Sequence, residues 1–346
     1  FQDCVDRLRR AIACLASELA HRSRYFKSIG AKSGRAIGST ARGTYNGCKI
    51  DFDLLISTLL GQGDLDKTKL RAFSDEVADR VAKLPIMAEF CCLAYGRLDK
   101  IRLSLLNLGV RGKSSFVIRY ALVWAGEGRR KEEPQPFLDI TFGNLPQLIG
   151  YERSMQSYFS RLSPAECRRL QQEIRLARLV FQRFNGLYGS RDKGFRAHGV
   201  EQLIIQAYDY RSSGEGVGSF LSALQFLLDE ATCPLNDTKW QCRDLGSFIE
   251  RFPLWHPGWL DSSALSRDER RRVDLWRMLG DGDATCADTK WRMLISLAAS
   301  LNYLVTKREE WSVRGLLLGA RSILKSARKH PDGGFIFTIS ESSFKF

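Results

Sequence analysis

The chain has 346 residues, 44% hydrophobic and 27% charged, with a formal net charge of +14 and an isoelectric point near 9.5. That length suffices for two domains and a smaller third one, and the composition is that of an ordinary globular protein. No apolar run reaches the roughly 18 residues of a membrane-spanning helix, and the positive charge favours a polyanionic partner, nucleic acid before membrane.

The basic excess begins early, with ten Lys/Arg against three Asp/Glu in the first 50 residues. Residues 3–26 read as a helix, because Val5, Leu8, Ile12, Leu15 and Leu19 recur at helical spacing with Arg7, Arg9 and Arg10 off that stripe. A glycine-rich connector leads to GSTARGTYNGCKIDFDLLI, from Gly38 to Ile56. Asp51 and Asp53 stand at i and i+2 in an apolar strand, so both side chains leave one face while Ile50, Phe52 and Leu54 face a core. Two carboxylates so close repel unless a cation compensates them, and oxygen donors suit Mg²⁺. The turn carrying Gly38, Ser39, Arg42, Gly43 and Thr44 brings backbone amides and a hydroxyl within reach of phosphate oxygens.

Residues 68–95 read as helical, and LSLLNLGV and SFVIRYALVWAG as strands flanking the basic turn RGKSS. That turn is not a Walker A loop, which requires glycine where Asn107 stands. After a polar loop, PFLDITF reads as another strand; it supplies Asp139 as the third carboxylate. The competing reading of Asp139 is an edge-strand aspartate paired with an arginine. A phosphate-binding turn beside metal-binding carboxylates is what nucleotidyl transfer requires: one ion activates the attacking hydroxyl and a second braces the leaving pyrophosphate.

The pattern becomes helical after Gly150. Ser163-Pro164-Ala165-Glu166 is a capping box with proline at the first helical position, followed by Leu170, Ile174, Ala177, Phe181 and Phe184 on one face. VEQLIIQAYDY, SFLSALQFLLDEA, TKWRMLISLAASLNYL and WSVRGLLLGARSILKSA are further helices, and GGFIFTISE alternates like a strand. Ser266 to Glu269 forms another capping box, opening the basic helix RDERRRVDLWR. WHPGWL reads as a packed interdomain turn rather than a base-stacking platform. The expected organisation is a catalytic domain over 1–150, a helical nucleotide-closing domain over 151–260, and a helical C-terminal region over 261–346 serving RNA binding.

Nine cysteines (Cys4, Cys14, Cys48, Cys91, Cys92, Cys167, Cys233, Cys242, Cys286) form no CxxC pair, and four histidines leave no zinc-like spacing. They imply reduced thiols in an intracellular reducing compartment: cytoplasm, nucleus or organelle matrix. A first residue Phe1 rather than Met is consistent with a processed or trimmed N-terminus.

GSTARGTYNGCKIDFD resembles the signature of the polymerase-β-like nucleotidyltransferase superfamily. Within it the nearest resemblance is to archaeal-type (class I) CCA-adding enzymes, and more loosely to poly(A) polymerases and oligoadenylate synthetases. The resemblance covers roughly residues 30–210. It implies an α+β fold: a palm of mixed sheet with helices, followed by a mainly helical domain that closes over the nucleotide. RLARLVFQRFNGLYG and KGFRAHGVEQLIIQ are similar to that family's closing segment. They place Arg178 at a triphosphate-binding lysine position and Tyr188 at a triphosphate-contacting tyrosine. Lys193, Gly194 and Phe195 then open the next segment, with Glu201 at its acidic position. The chain departs from the family at ERSMQSYFSRL, where Gln156 and Ser157 lie in place of a linker histidine.

The resemblance therefore implies a template-independent nucleotidyltransferase using two Mg²⁺ ions, with Mn²⁺ as a substitute, and an NTP: ATP, CTP or UTP. Asp51, Asp53 and Asp139 would be catalytic and metal-binding, and Gly38, Ser39, Arg42, Arg178 and Tyr188 nucleotide-binding. The acceptor would be an RNA 3′ end, a tRNA in the CCA-adding form and other RNA in the tailing form. The alternatives are an oligoadenylate or cyclic-nucleotide second-messenger synthase, and a catalytically silent RNA-binding subunit of a larger RNA–protein assembly.

Overall fold

The computed structural model describes residues 2–23, 25, 28–45, 51–59, 66–95, 101–111, 115–124, 137–143, 146–187, 200–201, 204–205, 208, 219–251, 284–307, 312–331 and 333–344. These form two compact units, Phe1–Arg161 and Leu162–Phe346. The fold is α+β, a mixed sheet with helices packed on it followed by a mainly helical unit, as expected from the sequence.

The first unit starts with α1 (Gln2–Arg22), whose Val5, Leu8, Ile12, Leu15 and Leu19 are buried as their spacing requires. Strand β1 (Ala31–Ile37) ends in a five-residue helical turn, α2 (Gly38–Arg42), followed by β2 (Asp51–Thr58). Helices α3 (Lys67–Ala82) and α4 (Pro85–Tyr95) divide the single helix expected over 68–95. The break falls at Lys83 and Leu84 because a residue before proline is driven out of helical geometry. The Asp66 carboxylate caps α3 by accepting from the Thr68 and Lys69 amides at 2.9 and 3.2 Å. Strands β3 (Ile101–Arg111), β4 (Ser115–Trp124) and β5 (Phe137–Gly143) complete the sheet before α5 (Pro146–Arg161).

The five strands lie in the order β1-β2-β5-β4-β3. Only β2 and β5 run parallel; every other pair is antiparallel. One face, carrying Phe52, Leu54, Ile56, Ile118, Leu138, Ile140 and Phe142, forms a single core with α1, α3 and α4. Strand pleating sends Asp51, Asp53 and Asp139 to the other face.

The second unit opens with α6 (Pro164–Leu187). Its capping box is formed: the Ser163 amide donates to Glu166 Oε2 at 2.9 Å, and the Glu166 amide to Ser163 Oγ at 3.3 Å. Leu170, Ile174, Ala177, Phe181 and Phe184 are all buried. Helix α7 (Ser219–Ala231) is followed by β6 (Thr232–Pro234) and β7 (Lys239–Cys242), whose turn is held by Asn236 Oδ1 accepting from the Thr238 and Lys239 amides. Next come α8 (Leu245–Arg251), α9 (Ala284–Thr306), α10 (Val313–Ser326), β8 (Arg328–Lys329) and β9 (Phe335–Thr338).

These strands make a second sheet in the order β6-β7-β9-β8. Because β9 pairs with β7, the expected 151–260 and 261–346 regions fall within one unit, and α5 belongs to the first. Strands of three and four residues are too short to show a period, so β6 and β7 went unread in the sequence. Val200, Glu201, Ile204 and Ile205 are helical and buried. RGKSS between its flanking strands, WHPGWL, RDERRRVDLWR and the Ser266–Glu269 box lie outside the described residues, apart from Arg111 and Ser115. No helix among the described residues is long and apolar enough to cross a membrane.

Candidate active site

The parallel pairing of β2 and β5 sets Asp53 directly beside Asp139, with Asp51 one pleat away on the same face and beside Phe137. Across β5, Arg119 of β4 lies opposite Asp139. Asp53, Asp139 and Arg119 thus make one row across three strands. Asp51 and Asp53 are half-buried, whereas Asp139 is 2% exposed.

Arg119 clasps Asp139 with both arms of its guanidinium, Nε donating to Oδ1 at 2.7 Å and Nη2 to Oδ2 at 2.6 Å. The same guanidinium lies over the Phe137 ring, 5.2 Å from its centroid. Its pKa is raised by the Asp139 hydrogen bonds and then by the charges of Asp139, Asp51 and Asp53, against a desolvation effect that lowers it. Arg119 is therefore a fixed cation among three carboxylates. Asp139 does pair with an arginine, but from a central strand rather than an edge. The sequence reading did not identify Arg119, although an arginine in the apolar run SFVIRYALVW carries a signal: an interior strand position holds a cation only against a partner.

The turn after β1 approaches Asp53 closely. Gly38 has φ +78, and a Cβ there would land on the Asp53 carboxylate, 3.1 Å from its Cγ. Only glycine fits both the conformation and the space. Gly43 (φ 72) closes the turn, its amide donating to Thr40 O at 3.1 Å, while the Thr44 amide donates to Ser39 O at 2.8 Å. The Thr40 hydroxyl donates to the Asp51 carbonyl, which ties the turn to the start of β2. Arg9 of α1 donates to Ala41 O at 2.7 Å.

Arg42, expected among the nucleotide-binding residues, points inward instead. Its Nη1 lies 2.6 Å from both carboxylate oxygens of Glu152 on α5, and the two side chains are 4% and 3% exposed. Glu152 also accepts from the Gly38 amide at 3.2 Å. A buried ion pair of this kind stiffens the turn. Nothing in the sequence marked Glu152, which joins the turn from more than 100 positions away. Ser39 is half-buried at the head of the turn.

Hard oxygen donors on one face, with glycine keeping the approach open, fit a divalent cation at Asp51 and Asp53. Asp139 is engaged by Arg119 in this arrangement. Among the described residues no three His, Cys, Asp or Glu side chains are grouped to hold a metal ion.

In the second unit, Arg178 is half-buried on α6, away from the Leu170–Phe184 stripe, and Glu201 is buried. Tyr188, Lys193, Gly194 and Phe195 lie outside the described residues. Gln156 and Ser157 on α5 are exposed, Ser157 Oγ accepting from Arg161 Nη2 at 3.4 Å.

No family model matches the chain, and no curated protein matches it. Among solved structures, it is similar to CdnC of E. coli MS115-1 in complex with HORMA-deltaN, with 15% identity over 92% of this chain and 90% of that chain, at a TM-score of 0.44. It is also similar to the Cid1 poly(U) polymerase bound to MgATP: 13% identity, 87% of this chain and 90% of that one, TM-score 0.43. A third similarity is to terminal uridylyl transferase 4 of Trypanosoma brucei with bound UTP: 12% identity, 66% of this chain and 73% of that one, TM-score 0.31. At these levels none of the three defines the chemistry of this chain, which is read from the site itself.

Proposed function

We propose that this protein is a template-independent nucleotidyltransferase that adds NMP from an NTP to an RNA 3′ hydroxyl. The observation that carries the reading is the carboxylate row: Asp53 beside Asp139 on parallel strands, Asp51 on the same face, and the glycine turn closed against Asp53. In the reaction the acceptor 3′ oxygen bonds to the α-phosphorus, the α–β phosphoanhydride breaks, and pyrophosphate leaves.

Asp51 and Asp53 would hold Mg²⁺ or Mn²⁺, which supplies positive charge to the transferring phosphoryl group. Ser39 would offer its hydroxyl to the triphosphate. Glu152 and Arg42 hold the turn in place, with the Gly38 amide already anchored on Glu152. Asp139 would orient and deprotonate the acceptor hydroxyl once Arg119 releases one of its oxygens. Arg178 and Tyr188 would contact the triphosphate. The net charge of +14 supports RNA as acceptor, in either the CCA-adding or the tailing form, and the cysteine pattern supports a reducing compartment.

The test is label incorporation from each α-labelled NTP with Mg²⁺, using a tRNA lacking its CCA end, an unrelated RNA and no RNA. Asp51→Ala/Asp53→Ala is the control and is expected to lose incorporation by at least about a thousandfold, since both principal metal ligands go. Label in RNA from the wild type alone establishes terminal transfer, and the NTP pattern separates CCA addition from tailing. Products without extended RNA would replace this reading with messenger synthesis. Absence of product beside tight RNA binding would leave a binding subunit.

A further inference from the structure

Helix α10 divides sharply. Leu316, Leu317, Gly319, Ala320 and Ile323 are buried, while Arg314, Arg321 and Lys325 on the opposite side are exposed. Separations of seven and four residues place those three cations within about 40° of one another around the helix, along about 16 Å of its length. Arg328 and Lys329 of β8, also exposed, extend the line past the helix end. From Ser312 to Pro331 the chain contains five Lys/Arg and no Asp or Glu. Glu309, Glu310 and Asp332, on either side, lie outside the described residues.

Several bases elsewhere are neutralised by carboxylates. Arg7 pairs with Glu89 at 2.8 Å, Arg80 with Glu76 at 2.9 Å, Lys83 with Asp79 at 2.6 Å, and Arg292 with Asp288 at 2.8 Å. Among the described residues no carboxylate pairs with Arg314, Arg321, Lys325, Arg328 or Lys329. Helix-end electrostatics accounts for Lys325 and for Arg328, whose Nη1 donates to the Lys325 and Ala327 carbonyls at 2.9 and 3.0 Å. It does not account for Arg314, at the end where a cation opposes the helix dipole, or for Arg321 midway.

The helix is also held firmly. Ser312 caps it by accepting from the Gly315 amide at 3.0 Å, and Ser300 donates to Leu316 O at 2.8 Å. Gly319 meets Phe344 with no room for a Cβ, and the Thr338 amide of β9 donates to Ser326 Oγ at 2.8 Å. The cations therefore form a preorganised line rather than a loose tail. The helix does not embed in a lipid bilayer, because the apolar side that would enter one is already packed inside the protein.

We infer that the Arg314–Arg321–Lys325 line, continued by Arg328 and Lys329, is a docking track for the phosphodiester backbone of RNA. The identity of the polyanion rests on the proposed RNA acceptor; the unpaired, aligned charge does not. Such a track reads no bases, so it would hold acceptors of any sequence and weaken with salt.

The experiment measures binding of a fluorescent single-stranded RNA to the full chain by anisotropy over a range of salt. It compares the wild type, Arg314→Gln/Arg321→Gln/Lys325→Gln, and an equal-charge control, Arg7→Gln/Arg80→Gln/Lys83→Gln. The α10 variant is expected to lower the slope of log K against log[salt] by about 2, from three lost phosphate contacts at about 0.7 each, while the control leaves it unchanged. Equal slopes for wild type and α10 variant, or equal losses in both variants, would overturn the track. Binding to phosphatidylserine vesicles that falls in the α10 variant while RNA binding does not would also overturn it, in favour of a membrane. Transfer to a dinucleotide acceptor, whose single phosphodiester cannot follow the line, is measured in parallel in all three proteins. Its absence from all three would count against the proposed transferase, while the slope still decides the track.

Discussion

Asp139 is the residue on which the site turns, because two demands meet on one carboxylate. Its row-mate Asp53 places it for cation binding, while Arg119 takes both of its oxygens. The hydrogen bonds and the surrounding negative charge keep Arg119 protonated, so the clasp opens by exchange of cations and not by loss of a proton. Arg119→Gln should leave an uncompensated buried carboxylate and cost about 2 kcal/mol without divalent ions, less than for a fully buried pair because Arg119 is partly exposed. Millimolar Mg²⁺ should recover most of that loss while shifting the wild type little; urea unfolding with and without Mg²⁺ measures both. Failure of Mg²⁺ to restore the variant selectively would show that Asp139 is no cation ligand. The aspartates were legible in the sequence because carboxylates in apolar strands demand compensation. Their compensation was not, since cross-strand register alone decides that Arg119 faces Asp139.

At the scale of elements, local signals were legible wherever the deciding contacts are near in sequence. The Ser163–Glu166 box is such a case, and it carries a pH dependence. Hydrogen bonding to Ser163, through its side chain and backbone, lowers the Glu166 pKa. A depressed folded-state value means the cap is fully stabilising above the unfolded value of about 4.3 and is lost as pH falls through the lower, folded one. Protection of the first-turn amides of α6, taken relative to their intrinsic exchange rates, should therefore fall below about pH 4, and Glu166→Gln should remove that dependence. Ser163→Ala should destabilise α6 by about 1 kcal/mol at neutral pH. The division of α3 from α4 was equally local, because Pro85 compels it. The β6–β7 hairpin was not, since it becomes a sheet only when β9, nearly a hundred residues on, pairs with it.

For the whole molecule, the cysteines report on both units. Cys14 and Cys233 are exposed, whereas Cys4 and Cys91 are buried in the first unit and Cys242 in the second. Burial pushes the Cys91 thiol up to about 12 and raises Cys4 and Cys242 as well, so none is an appreciable nucleophile at neutral pH. Among the described cysteines, alkylation of the native protein should label Cys14 and Cys233 first, ahead of the half-buried Cys92 and Cys167. Pulsed alkylation through a urea gradient should then expose Cys4 and Cys91 together, and Cys242 with the unfolding of its own unit, as read by mass spectrometry. Native labelling of Cys91 would contradict the core described for the first unit.

The sequence by itself determined the α+β class, the carboxylate strand, the glycine turn and the amphipathic helices, because each follows from periods and caps within about one turn or one strand of the residues concerned. Tertiary structure decided the rest. It paired Arg42 with Glu152, gave Asp139 to Arg119, set α5 in the first unit, and left the cations of α10 without carboxylate partners among the described residues. Those outcomes depend on which charges meet across long chain separations. Charge pairing in a folded protein is set by strand register and helix packing, which no local pattern encodes.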